Sequence, residues 1–156
     1  MKLSISYFYN IRFFGRHEVP LSTAVWDPKW FHEFKGQDHA FLDKRGVLNG
    51  VRASMFAPDS TCRDLCRGLE TCETKDPTSC PFLQRYREQL ETIDFGGFMK
   101  NMEQLSALFK AQLNLDRDVD FVLVVHEAPD NPCSERAPIQ DWFRTHGQEL
   151  PEWSRR

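Results

Sequence analysis

Four of the five cysteines lie in one short stretch, spaced Cys62-x3-Cys66-x5-Cys72-x7-Cys80. Four thiolates this close together are a common ligand set for a structural Zn²⁺ ion, which they bind in a tetrahedron. An iron–sulfur cluster also takes four thiolates and is the alternative metal centre. The stretch lacks the paired Cys-x2-Cys knuckles of common zinc ribbons, so thiols without a metal, reduced or disulfide-bonded, are a third interpretation. We predict zinc here, in a site that holds shape and does no chemistry.

The rest of the composition bounds the compartment and the partners. The longest strongly apolar run is only 121–125, far short of the roughly 20 residues that a membrane span needs. The first residues do not resemble a secretory signal, so we expect a cytoplasmic protein, in which clustered thiols favour metal over disulfides. The odd fifth thiol, Cys133, fits this better than a paired framework. A net charge of -3 and a pI near 5.9 exclude a global positive field, so any nucleic-acid contact must be local.

A second group of reactive side chains follows the apolar run 121–125, and it consists of Glu127, Cys133, Ser134 and Arg136. Cys133 and Ser134 stand at the start of a predicted helix, where unpaired N–H groups and the helix dipole favour an anion or a thiolate. Glu127 lies at the end of the predicted strand, and Arg136 lies in the first turn of the helix. An acid, a thiol and a fixed cation are therefore predicted to converge on one small volume.

This second group has a catalytic and a structural interpretation. In an enzyme, Glu127 would act as general base or stabilise a cationic sugar. Cys133 would then be a helix-activated nucleophile or a hydrogen-bond donor. In the structural interpretation, Glu127 accepts N–H bonds from the loop and Cys133 is a buried cap. Arg136 would then pair with Glu135 or Glu127, since structural ion pairs perturb the same kinds of group. Whether the chain is an enzyme stays open.

Arg52 and Tyr9 complete the predicted ligand set. Alone, Arg52 would be a surface ion-pair residue of little energetic value. At a strand end that faces Glu127 and Arg136, its guanidinium could instead bind a phosphate or carboxylate in a fork. A helix start and two arginines select phosphate, and Tyr9 or a tryptophan can stack on a ring. The predicted ligand is therefore a nucleotide, or an exposed nucleic-acid base with its phosphate.

Hydropathy patterns in the first half of the chain predict the elements that position Tyr9 and Arg52. Alternation over residues 3–9 predicts a strand. The segment 18–25 leans toward strand but contains a proline, which indicates a loop or an edge strand. Asp27 followed by proline predicts a short helix with Gly36 as its stop. Residues 47–56 return to strand character, with an Asn-Gly hairpin turn as the alternative.

The second half of the chain shows stronger periods. Apolar residues at helical spacing over 82–90 and again over 98–109 predict two helices with a break between them. The continuous apolar run within 120–125 is typical of a central parallel strand that is covered on both faces. Residues 134–146 read as a last helix, with a glycine directly after it as the stop.

The order of these elements predicts an α/β fold with a small, mostly parallel, three-layer sheet. We expect a single domain over 1–156, interrupted at 58–81 by a Cys-rich metal-binding insert. In such sheets, ligands bind at the carboxyl ends of the strands. This places residues 9–12, 52–54 and 126–133 on the candidate face.

Two further sets are more ordinary. The aromatic residues of the first segment, with Asn10, Arg12 and Arg16, could form a base-stacking surface with local positive charge, although such a set is more often core and rim. The histidines stand alone in loops or on helices, and His126 alternates to the opposite side of the strand from Glu127. We expect solvated or core-capping histidines.

The segment after the apolar run resembles the carboxy-terminal signature of the bacterial and phage family called domain of unknown function 488. Members of that family end a central strand with Cys-x-Glu, followed after five residues by Cys-His-Arg and a helix. The matching positions here, with the arginine one residue later, are Val125, Glu127, Cys133, Ser134 and Arg136. Upstream, Gly50-Val51-Arg52 is similar to the family's Asp-x-Arg at the end of its second strand, with glycine in place of the acid.

This resemblance implies an α/β fold with a site at the strand ends, and it brings no established reaction. The cysteine insert lies outside the common family pattern and is similar to what phage-borne relatives show. We therefore expect a zinc-stapled cytoplasmic protein that binds an anionic ligand, a nucleotide or a nucleic-acid base with its phosphate. The rival is a non-catalytic, phage-encoded interaction module that binds a host protein or sequesters a nucleotide. A redox protein would require the iron–sulfur cluster. We expect no membrane partner, and the oligomeric state is open.

Overall fold

The computed structural model describes residues 1–34, 49–66 and 76–155. The strands in these ranges are β1 Leu3–Tyr7, β2 Glu18–Ser22, β3 Val51–Arg52 and β4 Asp120–Val125. The α-helices are α1 Ser60–Leu65, α2 Pro81–Glu91, α3 Phe95–Leu113 and α4 Arg136–Thr145.

The strands form an all-parallel sheet in the order β1-β4-β2-β3. β4 is internal, as its unbroken apolar sequence predicts, and every residue of β4 after the first is buried because both faces are covered. Tyr7 pairs with Val125, and Ser22 pairs with both Val124 and Arg52. All four strands therefore end at the same edge, and the mostly parallel α/β prediction is confirmed.

The predicted loop or edge strand around Pro20 is instead an internal strand, β2, so that prediction is wrong. Pairing between β2 and β3 begins only at Leu21 and Val51. The carbonyl of Pro20 faces Gly50, just before that pairing starts. The N and O atoms of one strand residue point to the same side. The backbone N of Pro20 therefore also faces Gly50, where β2 and β3 are not yet paired, and its missing N–H interrupts no hydrogen bond of the sheet. A side chain on Gly50 would also lie 2.3 Å from the Phe31 ring.

The two faces of the sheet are covered differently. Helices α2, α3 and α4 pack on the face that carries Ile5 and Leu123, and they form the main core there. The other face carries Val122 and Val124 under a 3-10 turn, Phe8–Phe13. Partly buried residues complete this cover: Ile11, Phe14, Phe31 and Trp153. In the described ranges this second layer consists of the turn and loops, and the predicted helical third layer is not found there.

The outer edge of β1 is covered by the end of the chain. The N–H of Ile5 donates to the Pro151 carbonyl at 3.0 Å, and the Trp153 N–H donates to the Ile5 carbonyl at 2.8 Å. Such cover removes an exposed strand edge that could pair with another chain. It also fixes Glu152, which forms a parallel bridge with Ile5, close to the start of α4.

Several local predictions are wrong. The helix expected to begin after Asp27 does not form in the described part, where residues 28–34 contain one turn and an isolated bridge at Glu33. Residues 47–48 of the strand expected over 47–56 lie outside the described residues, and from residue 49 onward the strand is confined to β3. Gly50 forms a parallel bridge with Glu33 rather than a hairpin turn. The Cys-rich region 58–81 contains a helix, α1, that composition did not predict.

The later predictions are confirmed. α2 and α3 are separated by a short break, and α4 ends before Gly147, which has φ 79°. This left-handed conformation is one that glycine adopts readily. No helix in the described ranges has the length and apolarity needed to cross a membrane.

Candidate ligand site at the carboxyl edge of the sheet

Buried polar side chains concentrate at the edge where the parallel strands end. Seven polar or charged residues are buried in the described chain, and six of them lie at or just beyond this edge: Ser6, Ser22, Thr23, Glu127, Ser134 and Arg136. Burying a polar group costs free energy unless it is hydrogen-bonded, so this concentration marks the candidate site. Sequence reasoning misses the three hydroxyl residues that end β1 and β2, although hydroxyls in the last positions of a β pattern are a usable signal.

Arg52 is held by the loop that follows β2. Its Nη2 donates to the carbonyl oxygens of Ala24 and Val25 at 3.2 and 3.0 Å. Its Nε lies 3.2 Å from Asp27 Oδ2, in an ion pair without hydrogen-bond geometry. The other oxygen, Asp27 Oδ1, accepts a 2.5 Å hydrogen bond from Ser22 Oγ. Arg52 therefore fastens β3 to this loop, and its charge is already paired.

Glu127 is buried directly after β4. Only 8% of the residue is exposed, and Oε1 has no hydrogen-bond partner in the ranges that the structure describes. Its neighbour His126 is exposed on the opposite side, as the alternation predicts. The His126 ring packs 4.8 Å from the Phe8 ring, and Nε2 lies 2.9 Å from the Trp26 carbonyl. The strand end thus separates an aromatic side from a buried acidic side.

Arg136 joins three parts of the molecule at the acidic side. It lies in the first turn of α4 and is 6% exposed. Its Nη1 donates to the Glu127 carbonyl at 3.0 Å, and its Nε forms an ion pair with Glu152. Its Nη2 is buried and has no hydrogen-bond partner among the described residues. Arg136 is therefore anchored yet keeps one donor group unused.

The ion pair between Arg136 and Glu152 does not fully compensate burial. Burial raises the pKa of Glu152 above its ordinary value of 4.5, and the attraction of Arg136 lowers it by less. Desolvation disfavours the charged form of a carboxyl group, whereas a nearby cation favours it. Here desolvation dominates, so Glu152 is a weaker partner than the short contact alone indicates.

Cys133 and Ser134 serve the loop and the helix start. Cys133 is fully buried, and its N–H donates to Asn131 Oδ1 at 2.9 Å. Ser134 Oγ accepts the N–H of Arg136 at 3.1 Å. Buried thiols are generally unreactive. These contacts support a packing role for Cys133 and a capping role for Ser134.

Tyr9 lies on the aromatic side of the same edge. Its ring is 49% exposed and stacks with Tyr7 at 5.9 Å. The Arg12 guanidinium lies 3.9 Å from the ring centroid. Tyr9 is therefore half-exposed at this edge, with the Arg12 guanidinium over its ring.

The predicted ligand residues share one edge but form two networks. β3 is two strands away from β4, which corresponds to about 10 Å across the sheet. Among the described contacts, no hydrogen bond or ion pair joins Arg52 to Glu127 or Arg136. The structure therefore supplies two separate guanidinium sites rather than one fork around a single anion.

The described ranges include only three of the four cysteines of the predicted tetrathiolate. No group of three or more His, Cys, Asp or Glu side chains in the described ranges could hold a metal ion, and Cys72 lies outside those ranges. Cys66 and Cys80 are half-buried, and Cys62 is fully buried. The Cys62 thiol donates to Gln89 Oε1 at 3.7 Å, and burial together with the Asp59 carboxylate raises its pKa to about 11. Since one of the four thiols lies outside the described ranges, zinc and the iron–sulfur alternative stay predictions.

No protein-family model, curated protein or solved structure matches the chain. The resemblance to domain of unknown function 488 therefore stays a prediction that rests on the spacing of Glu127, Cys133 and Arg136 and on Arg52.

Proposed function

We propose that this chain binds a nucleotide, or an exposed nucleic-acid base with its phosphate, at the carboxyl edge of the sheet through Glu127 and Arg136. One observation supports the proposal. Glu127 Oε1 and Arg136 Nη2 are both buried, and neither has a hydrogen-bond partner in the described part of the chain. Buried polar side chains in proteins are nearly always paired, so these two atoms call for a partner beyond the described residues, and a ligand can supply it.

The two atoms need complementary hydrogen-bonding groups on the ligand. A carboxylate oxygen needs a donor, and a guanidinium N–H needs an acceptor. Each unmet group costs about 1–3 kcal/mol, and a ligand that meets both recovers that cost. The 3.0 Å bond between Arg136 Nη1 and the Glu127 carbonyl keeps the two residues together. A ligand that fits carries an N–H group beside an oxygen, as the edge of a nucleobase does.

The charges favour recognition of the base over recognition of the phosphate. Arg52 is paired with Asp27, and Arg136 is shared with Glu152. A phosphate could reach Arg136 but would be repelled by Glu127. We therefore place the base edge at Glu127, with a ligand oxygen at Arg136 and the phosphate toward the start of α4.

The contacts favour binding over covalent catalysis. Cys133 is fully buried within the main core, and buried thiols are generally unreactive. If the bound ligand is modified, Glu127 is the group placed to take a proton from its N–H. Non-covalent binding without turnover is the alternative that the burial of Cys133 supports.

The test is a thermal-shift titration with the four nucleoside monophosphates and their nucleosides. A ligand at one hundred times its Kd adds about 2.7 kcal/mol of stability, and at least one base should raise Tm. Glu127→Gln should weaken the shift, because the negative charge is lost and only one of the two oxygens remains as an acceptor for the ligand's N–H. Asp130→Asn, an exposed position in the same loop, should keep it. No shift in the wild type, or a full shift in Glu127→Gln, would contradict the proposal. Chromatography of the incubated ligand reports turnover.

A further inference from the structure

The opposite side of the same edge carries exposed aromatic side chains. Six large hydrophobic residues are exposed in the described chain, and three follow β1 or β2: Tyr9 at 49%, Trp26 at 80% and Trp30 at 46%. Isolated exposed apolar residues are ordinary on protein surfaces. Two tryptophans and a tyrosine at the ends of strands on either side of β4 are a concentrated apolar surface, which in soluble proteins indicates interaction.

These side chains are connected through the buried ring of Phe8. The ring of Phe8 packs against His126 at 4.8 Å and against Trp30 at 6.4 Å. His126 Nε2 lies 2.9 Å from the Trp26 carbonyl. Tyr9 follows Phe8 directly in the chain. β1 and β2 are separated by β4 alone, so the segments that carry Tyr9 and Trp26 leave the sheet about 10 Å apart.

Arginines lie on the faces of the adjoining rings. The Arg12 guanidinium is 3.9 Å from the centroid of Tyr9, and Arg155 is 4.4 Å from the centroid of Phe13. Tyr9 and Phe13 also contact each other at 5.9 Å. We call Tyr9, Arg12, Trp26, Trp30 and Arg155 the aromatic–arginine surface.

The charges of this surface are not neutralised by carboxylates. Within the described residues, Arg12 and Arg155 take part in no ion pair. Elsewhere in those ranges, six arginines have a carboxylate partner: Arg52, Arg85, Arg87, Arg117, Arg136 and Arg144. An arginine that stacks on an aromatic ring keeps its outward N–H groups for another acceptor. The surface therefore offers flat rings together with unneutralised positive charge.

We propose that the aromatic–arginine surface binds single-stranded nucleic acid, with bases stacked on the exposed rings and phosphates at Arg12 and Arg155. Single-strand binders combine these two features, and stacking tolerates any base because every base has a flat face. A duplex hides its base faces and would lose the stacking contacts. The net charge of -3 gives no long-range attraction, so affinity depends on the local contacts and falls with salt.

Fluorescence anisotropy with fluorescein-labelled dT15, U15 and a 15-bp DNA duplex tests the proposal at low and physiological salt. Both single strands should bind more tightly than the duplex. Trp26→Ala and Tyr9→Ala should each weaken single-strand binding between about 5- and 150-fold, the range that corresponds to one lost stacking contact. Arg12→Ala should lower both the affinity and its salt dependence.

The matched control is Leu65→Ala, which removes an equally exposed apolar side chain, 50% exposed, from α1. It should leave binding unchanged. Because the buried acidic side is separate from this surface, failure of nucleotide binding in the thermal-shift titration would leave this proposal standing. No binding of either single strand, equal binding of the duplex, or wild-type affinity in both aromatic variants would overturn it.

Discussion

Arg52 and Arg136 both follow or adjoin a strand end at the same edge, yet their surroundings differ. Arg52 Nη2 donates to two carbonyl oxygens, and its partner Asp27 also accepts from Ser22. Arg136 Nη2 has no acceptor within the described chain, and neither has the nearby Glu127 Oε1 a donor. The first arginine is committed to holding the fold. Arg136 is held in place and still has an unused N–H group, which is what a ligand-binding site requires.

This difference separates position from function. The carboxyl edge of a parallel sheet gathers polar residues whatever their role, because all strands end there. Which of them can bind a ligand depends on the contacts that remain unfilled. The Arg52 network and the Arg136 network can therefore be distinguished by what happens when one charge in each is removed.

Removing the carboxylate of the filled network should give the largest effect. Asp27 is 17% exposed in its side chain, and Asp27→Ala leaves Arg52 Nε and Ser22 Oγ without that partner. Breaking a largely buried charge-assisted contact costs about 2–3 kcal/mol, and urea unfolding should show this as a lower midpoint with an unchanged m-value. Glu149→Ala is the control, since its contact with Arg144 is exposed and should cost less than about 0.5 kcal/mol. Equal losses would contradict the commitment of Arg52 to the fold.

The sequence predicts the parts that local periodicity determines. β4, α2, α3 and α4 are correctly predicted because each carries an uninterrupted apolar period. The neighbourhood of Glu127 and Arg136 is also predicted, since strand, loop and helix follow one another directly in the chain.

The parts that fail depend on distant residues. Asp27 has the pattern of a helix cap, but contacts with Ser22 and Arg52 outweigh that preference. The Arg136 partner Glu152 is positioned by the pairing of the chain end with β1, which no local pattern reveals. β2 is wrongly predicted because a proline destabilises a strand only where its missing N–H would pair. That depends on where β3 begins to pair with β2.

The cysteines also differ in their surroundings, and this difference should appear in their reactivity. Burial raises the pKa of Cys62 to about 11 from an ordinary 9.0, which lowers its thiolate fraction about 100-fold near neutral pH. A thiolate of higher pKa is intrinsically more nucleophilic, which offsets about tenfold of that decrease. Alkylation of Cys62 should therefore be about tenfold slower than alkylation of an ordinary thiol. Mass spectrometry of iodoacetamide-treated, chelator-treated protein should show Cys80 labelled before Cys62.

The zinc prediction gives the opposite pattern. Joint protection of Cys62, Cys66 and Cys80 before chelation, lost together when the chelator removes about one zinc per chain, would show that Cys62 is a ligand. It would contradict the assignment of Cys62 as a buried, protonated thiol.

Neutralising Glu127, the carboxylate beside Arg136, should raise the free energy of unfolding. Glu127→Gln replaces a buried charge, whose Oε1 lacks a partner in the described ranges, by an amide that is less costly to bury. We expect a gain of about 1 kcal/mol in the absence of ligand, the usual exchange of function for stability at a binding site. Urea unfolding measures it, with Asp130→Asn as the unchanged control. A loss of stability would show that the carboxylate is satisfied in solution and would remove the support for a ligand at Glu127.

The smallest effect should appear in the pH dependence of the Arg136 network. Because burial raises the pKa of Glu152 in the folded state, the folded chain holds this proton more tightly than the unfolded chain does. The contribution of Glu152 to stability is then fully present below pH 4.5 and is lost as the pH rises through the raised pKa. The difference between wild type and Glu152→Gln should shift by less than about 1 kcal/mol over that window, since the group is partly exposed. The opposite slope would mean that attraction to Arg136 outweighs burial. The Nε contact of Arg136 would then be as firmly paired as that of Arg52, and within the described ranges the two arginines would differ only in the unpartnered Nη2 of Arg136.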